Sequence, residues 1–325
     1  MRNLEKKLDR KVVDRSEIIL AIFARHARTR ESRLQVEVAQ LEYSLPRLRH
    51  LWSHLERLGG GIGTRGPGES QLETDRRIAR DRVALLKRQL ALVEKERRVQ
   101  RQSRGGEFRV AVVGYTNAGK STLFNALTRA DVRAEDRLFA TLDATTRRLV
   151  NANREVLLLT DTVGFIRKLP HHLVASFRST LAEVIEADLW LHVVDAADPE
   201  FRNHIRSVES VLAEITRPAK AAPRTNGGTS AAAAEAAALV TPPTPARPTL
   251  LVFNKVDAIA DDPLLYALPI EFPGSLQVSA RTGEGLDVVR ERLWQARRDA
   301  RASAAERARE ARERRDAAAA WESDL

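Results

Sequence analysis

The 325-residue sequence contains no cysteine. That excludes a disulfide framework and a thiolate metal site, and it makes a cytosolic setting the natural expectation. No run approaches 18 consecutive apolar residues, so no transmembrane helix is expected. The opening MRNLEKKLDRK is charged and lacks an apolar core, so it does not read as a secretory signal. Internal repeats are also absent. Hydrophobic residues make up 43% and charged residues 30%, an ordinary globular composition that rules out a wholly disordered or collagen-like chain. The length suits two or three domains.

Charge of one sign is concentrated. The first 108 residues hold 25 Lys+Arg against 15 Asp+Glu, whereas the remaining 217 hold 29 of each. The net +10 therefore lies entirely in the first third. Such a field attracts nucleic acid and anionic membranes.

Residues 28–58 carry a helical period. Leu34, Val38, Leu41, Leu45, Leu48, Trp52 and Leu55 recur at alternating spacings of four and three, an a/d seam. Pro46 is expected to kink or break that helix. A second seam of Val83, Leu86, Leu90 and Val93 lies within 69–104. Between them, Gly59–Gly68 holds six glycines in ten residues and cannot continue a helix. The simplest arrangement is an antiparallel helical hairpin with a basic glycine-rich loop at its tip. Its seams face each other, which leaves little apolar surface for lipid insertion.

From Phe108 the pattern changes. Strands are expected at Arg109–Val113, Arg147–Val150, Val156–Thr160, Leu189–Val194, Thr249–Phe253 and Leu276–Val278. Helices are expected at Lys120–Leu127, Phe177–Ala187, Asn203–Ile215 and Leu286–Ala300. Alternating strands and helices indicate an α/β fold with a doubly wound parallel sheet. Residues 219–248, rich in Ala and Pro, read as a low-complexity insert. The tail after Ala300 reads as a solvated or frayed helix.

The strongest motif is Gly114-Tyr115-Thr116-Asn117-Ala118-Gly119-Lys120-Ser121. It matches GxxxxGK[ST], directly after a strand and before a helix. Its backbone N–H groups can close around phosphates, aided by the helix N-terminus. Lys120 reaches the β- and γ-phosphates, and the Ser121 hydroxyl binds Mg²⁺.

Three further strings point to guanine. Asp161-Thr162-Val163-Gly164 ends a strand. Asp161 can hold the Mg²⁺ shell through water, and the Gly164 N–H can contact the γ-phosphate. In Asn254-Lys255-Val256-Asp257, Asp257 can accept from guanine N1–H and the 2-amino group, a donor pair that adenine lacks. Asn254 would support guanine O6/N7 and the loop, with the Lys255 stem over the base. Ser279-Ala280, with Arg281 following, can offer a backbone N–H to O6. All lie at strand C-terminal ends, where open α/β sheets bind ligands. Between the Gly114–Ser121 motif and the Asp161–Gly164 string, Phe139-Ala140-Thr141-Leu142-Asp143 belongs to a loop near the phosphates. There Thr141, Thr145 and Thr146 compete on spacing alone to complete the Mg²⁺ coordination.

These strings together resemble the HflX family of Obg/HflX-like, translation-associated GTPases. The resemblance rests on GGGIGTRGPGESQLETDRR (59–77), GYTNAGKSTLFNALT (114–128), LFATLD (138–143), TDTVGFIRKLPHHLV (160–174), NKVD (254–257) and LQVEVAQLEYSLPRL (34–48). It runs from about Lys11 to Leu293, apart from the insert. It implies that Thr141 is the switch threonine and that Asn117 helps seat a monovalent cation such as K⁺. It also implies binding to the large ribosomal subunit and its rRNA, with dissociation of stalled or stressed ribosomes. The loop residues Gly60, Gly61, Gly63, Arg65, Gly66 and Gly68, with Arg76 and Arg77, would then contact that partner.

On this reading residues 1–27 are the remnant of a longer N-terminal subdomain and 28–107 the hairpin. Residues 108–300 form the GTPase domain and 301–325 a charged tail. The expected protein is a cytoplasmic monomer, peripheral to membranes at most. Phe165 occupies the position where many GTPases carry a water-orienting glutamine, so slow intrinsic turnover is expected. Two other readings compete: a GTP-dependent RNA-remodelling module acting outside the ribosome, and a GTPase on anionic lipid.

Overall fold

The computed structural model describes residues 2–10, 12–51, 67–102, 106–128, 139, 141–167, 181–216 and 247–323. The Gly59–Gly66 stretch and most of the insert lie outside them.

The chain opens with α1 (Arg2–Leu8), α2 (Arg15–His26), α3 (Arg30–Leu51) and α4 (Pro67–Gln102). Asp14 caps α2 by accepting the Glu17 N–H at 2.9 Å. Helix α3 continues past Pro46, so the break expected there does not occur. The apolar packing on both of its faces outweighs the lost hydrogen bond. One face carries the predicted seam, where Leu34 and Val38 pack with Leu86 of α4, flanked by Leu41, Leu90 and Val93. Ion pairs Glu31–Arg97 (2.5 Å) and Glu42–Lys87 (2.6 Å) run alongside and fix the two helices antiparallel.

The seam does not consume all of the apolar surface of α4. Ile78, Leu85, Leu92 and Val99 stand exposed at seven-residue spacing on the side away from α3. The expectation of an internally exhausted apolar face is therefore corrected: a 36-residue helix with two apolar rows can bury only one against a single partner helix.

The sheet follows: β1 (Phe108–Gly114), α5 (Lys120–Thr128), β2 (Thr145–Val150), β3 (Val156–Asp161), α6 (Ala182–Glu186) and β4 (Leu189–Asp195). The chain continues through α7 (Phe201–Thr216), β5 (Thr249–Asn254), α8 (Leu264–Glu271), β6 (Leu276–Gln277) and α9 (Leu286–Ser323). Six strands lie in the order β2-β3-β1-β4-β5-β6. All pairs are parallel except β2–β3, which is antiparallel. The doubly wound parallel sheet is as expected, with β2 its one antiparallel strand. The connection from Val150 to Val156 is too short for a crossover helix, so β2 must fold back as a hairpin.

The expected helix at Phe177–Ala187 is helical over Ala182–Glu186 among the described residues. Helix α9 runs on to Ser323, exposed over 301–315. One sheet face packs on α5 and α9 through Leu123, Phe124, Val289 and Leu293. The other packs on α7 through Val208 and Leu212. That second core also contains Ile19, Leu20 and Phe23 of α2 and Val36 and Ala39 of α3. The N-terminal helices are thereby seated on the sheet domain and share its core.

Candidate nucleotide site

The strands β1, β3, β5 and β6 run parallel, so their C-terminal ends open on one edge. A cavity of about 450 Å³ lies there. Its lining includes Thr116, Asn117, Gly119, Lys120, Ser121, Phe139, Thr141, Thr162, Gly164, Asn254, Lys255, Asp257, Ala280 and Arg281, all anticipated from the sequence. Thr122 and Ala258 also line it and were not anticipated. Both directly follow predicted motif residues, which was the available signal.

Two glycines are required by close approach. Gly119 has φ +84°, and a Cβ there would strike the Asn254 side-chain amide. At Gly164 a Cβ would come within 2.9 Å of both Lys120 Nζ and Thr116 Cα. The glycine after β3 thus leaves room for the lysine.

Helix α5 begins at Lys120, so the unpaired N–H groups of its first turn face the cavity. Lys120 is buried, and its Nζ donates to Tyr115 O at 2.8 Å. Burial pulls its pKa down to about 8, partly offset by the Asp161 carboxylate. The same burial raises the pKa of Asp161, against hydrogen bonds from Ser121 and Thr141 and the charge of Lys120. Nearby His192, buried and facing the Lys120 charge, is held down at about 4 and stays neutral.

Three oxygens converge beside the lysine. Ser121 Oγ donates to Asp161 Oδ2 at 2.6 Å, Thr141 Oγ1 donates to the same oxygen at 3.0 Å, and the two hydroxyls are 2.7 Å apart. The other carboxylate oxygen, Oδ1, is buried without a partner. A hard, all-oxygen donor set with one unsatisfied carboxylate oxygen suits a divalent cation such as Mg²⁺. Thr145 and Thr146 lie on β2, where Thr146 Oγ1 bonds Thr160 Oγ1 at 2.9 Å. Of the three competing threonines, Thr141 is the one brought to Ser121.

At the far end, Asp257 accepts from Ser279 Oγ at 2.6 Å and pairs with Arg281. The hydrogen bond from Ser279 is the main reason that its pKa is lowered, so its carboxylate is charged. Asn254 bridges two loops: Nδ2 donates to Ala118 O at 3.0 Å, and Oδ1 accepts the Ala280 N–H at 2.9 Å. Lys255, at φ +64°, pairs with Asp195 at 2.6 Å.

Several predicted positions face elsewhere. Leu142, Val163 and Val256 are core residues, because the strand and loop geometry turns them inward. Tyr115 stacks on His204 with ring centroids 3.7 Å apart. Asp143 turns to the start of α3, bonding Thr29. Gly114 supports the loop from below, where φ +152° and the Val193 carbonyl leave no space for a Cβ. Ala118 is buried under the loop. The Ser279 N–H is committed to Glu284 O at 3.0 Å and the Ala280 N–H to Asn254, so neither is a free donor for O6. Ala140 and Gly60, Gly61, Gly63, Arg65 and Gly66 lie outside the described residues, while Gly68 opens α4. Arg76 and Arg77 lie on α4, far along the chain from the cavity, with Arg77 exposed.

Family comparisons agree with this geometry. Residues 26–104 match the family described as GTP-binding GTPase Middle Region, and residues 109–223 match 50S ribosome-binding GTPase. A GTPase HflX of Flavobacterium psychrophilum is 51% identical over 257 residues, covering 79% of this chain and 55% of its own length. GTPase HflX of Magnetococcus marinus is 48% identical over 302 residues, covering 91% and 62%. The chain belongs to the HflX family of GTPases. The HflX of Escherichia coli is 47% identical, covering 88% of this chain and 61% of its own length. The chain thus spans a little over half the length of these HflX relatives. Among solved structures, a GTP-binding protein from Sulfolobus solfataricus in complex with GDP is similar at a TM-score of 0.46 and 24% identity, covering 88% of this chain and 72% of that one. No helix among the described residues is long and apolar enough to cross a membrane.

Proposed function

We propose that this protein binds GTP and hydrolyses it to GDP and phosphate, and that its nucleotide state governs engagement of the large ribosomal subunit. The observation that carries the nucleotide reading is the convergence of Ser121, Thr141 and Asp161 beside a buried Lys120, with a charged Asp257 at the other end of one cavity.

In this reading Lys120, the N–H groups of Asn117, Gly119, Lys120 and Ser121 and the Gly164 N–H hold the β- and γ-phosphates. Ser121 and Thr141 would hold Mg²⁺ through their hydroxyls, with Asp161 beside them to orient a water. When bound, the Mg²⁺ neutralises charge building on the phosphate oxygens. The Asn117 side-chain carbonyl, exposed at φ +64°, would take a monovalent cation such as K⁺. Asp257 accepts from guanine, with Lys255 alongside the base, and Asn254 keeps the phosphate loop and the Ser279–Arg281 loop in register.

Among the described residues, the titratable groups lining the cavity are Lys120, Lys255, Asp257 and Arg281, none of which is a base at the γ-phosphate end. Phe165 is buried and apolar. Slow intrinsic turnover follows, with acceleration supplied by the partner. The matched description of a 50S ribosome-binding GTPase and the basic N-terminal third support the ribosome as that partner. Dissociation of stalled ribosomes under stress, action in the cytoplasm and a monomeric state complete the proposal, with residues 28–107 as the partner-facing hairpin and 108–300 as the GTPase domain.

Asp257→Asn tests the base assignment. It replaces an acceptor-only carboxylate with a mixed amide. One or two charge-assisted bonds at about 1.5–3 kcal/mol each are at stake, so GTP affinity falls at least tenfold while xanthosine triphosphate gains. Unchanged GTP binding would remove the guanine reading. Co-sedimentation with purified large subunits, free RNA and anionic vesicles, each with GTP analogue or GDP, tests the partner.

A further inference from the structure

The four described residues of the 139–143 segment point in three directions. Phe139 is buried and meets Phe23 of α2 edge-on, ring centroids 4.7 Å apart. Leu142 is buried in the same core as Val36 and Ala39 of α3. Thr141 faces Ser121 and Asp161. Asp143 reaches the N-terminus of α3. Its Oδ2 accepts the N–H groups of Arg28 and Thr29, each at 3.2 Å, and its Oδ1 accepts from Thr29 Oγ1 at 2.6 Å. Thr29 is itself the cap of α3, taking the Ser32 N–H at 3.1 Å. A carboxylate therefore sits at the positive end of a 22-residue helix with three donors on it.

Thr141 and Asp143 are two residues apart on one short segment. The first can engage the cation site only where the second holds the backbone, and the second engages α3 only when that helix is seated. We propose that Asp143 is a positioning residue: its bonds to Arg28 and Thr29 fix the segment that presents Thr141, so that docking of the helical hairpin and binding of the γ-phosphate are thermodynamically coupled. The proposal rests on Thr141 serving the GTP site. Coupling is reciprocal, so GTP tightens the seating of α3 by the same factor by which seated α3 tightens GTP. GDP, which lacks the γ-phosphate that Thr141 serves, gains nothing from it. The basic hairpin thereby gains a route to sense nucleotide some distance from the cavity.

The test uses the full chain with Mg²⁺ and measures affinity for a non-hydrolysable GTP analogue and for GDP. Asp143→Ala is expected to weaken the analogue about tenfold, within the usual range of allosteric coupling, and Thr29→Val, which keeps two of the three bonds, to weaken it less; both leave GDP unchanged. The double variant loses no more than Asp143→Ala alone, because the bond that Thr29→Val removes is one of the three that Asp143→Ala removes. Asp143→Asn, which keeps one acceptor oxygen, falls between, and it serves if Asp143→Ala fails to fold. Amide exchange at residues 28–33 should be slower with analogue than with GDP in the parent, and indifferent in the variants. Equal analogue-to-GDP selectivity in parent and variants, additive losses, or exchange at 28–33 that ignores nucleotide in the parent would each overturn the coupling. Thr141→Ala separates the two claims. If it lowers analogue affinity while the Asp143 variants do not, only the coupling falls. If Thr141→Ala has no effect, the role given to Thr141 falls and the coupling with it.

Discussion

Ser121 Oγ and Asp161 Oδ2 are joined by a 2.6 Å hydrogen bond, although the phosphate loop and the end of β3 are 40 residues apart. That bond commits one carboxylate oxygen and leaves the other buried and unpartnered. Ser121→Ala removes a hydroxyl from the donor set without touching the core. Hydrolysis should fall by orders of magnitude, and the Mg²⁺ concentration for half-maximal activity should rise, while nucleotide-free thermal stability stays close to the parent. A Mg²⁺ titration of turnover checks this, and an unaltered titration would remove Ser121 from the cation site.

Lys120 gives a pH dependence with a definite sign. Its pKa is lowered to about 8 by burial, so above pH 8 the free protein increasingly holds a neutral amine. Phosphate binding favours the charged form and must take up a proton there. GTP affinity should therefore be flat below pH 8 and weaken by as much as about tenfold per pH unit above it. A guanidinium stays charged over this range, so in Lys120→Arg that alkaline decline should vanish even if affinity is lower throughout. Calorimetry in buffers of different ionisation enthalpy reads the proton uptake directly.

Phe165 is joined to the phosphate loop through its backbone. Its N–H donates to Gly114 O at 3.1 Å, and its carbonyl accepts the Thr116 N–H at 2.8 Å. The ring is 2% exposed within the core shared by sheet and helices. Phe165→Ala should therefore cost about 3–5 kcal/mol of stability. Phe165→Leu, closer in volume, should retain most of the parent turnover. A Phe165→Leu variant as inactive as Lys120→Ala, with GTP affinity kept, would assign the ring a direct catalytic role.

The Gly114–Ser121 loop and the Asp161–Gly164 string were legible because close approach restricts residue type at fixed spacings: Gly119 and Gly164 are glycines since the Asn254 amide and Lys120 Nζ occupy the space of a Cβ. The seam of Leu34, Val38 and Leu86 was legible from its period. What escaped depends on tertiary placement. Nothing local in Ile19, Leu20 and Phe23 says that α2 completes the core beneath the sheet. Asp143 reads as a site residue until Thr29 is brought to it from 114 positions away. The Ala280 N–H reads as a free donor until the Asn254 side chain takes it. Helix α8 was obscured by Pro269 and its eight-residue length.

The glycine-rich stretch from Gly59 to Gly68 lies mostly outside the described residues. It follows α3 and leads into α4 in the sequence, and the described end of α3 at Leu51 and start of α4 at Pro67 lie at the other end of that helix pair from Thr29. Six glycines around Arg65 permit close approach to a crowded surface, and a guanidinium can stack on a base or bridge phosphates. Under the proposed function this stretch acts on the partner and not on the nucleotide. Arg65→Ala, or replacement of the stretch by a simple turn, should leave intrinsic GTPase activity within about twofold, since the described lining of the cavity comes from Thr116 to Arg281. Ribosome-stimulated turnover and subunit dissociation should fall far more. Binding should fall less, because Arg76, Arg77 and Arg80 on α4 remain to contact phosphates, with an affinity that declines as salt rises. Steady-state GTPase assays with and without large subunits, paired with sedimentation across a salt series, separate these effects. A shortened variant that keeps full stimulation and full dissociation would reduce the stretch to a connector.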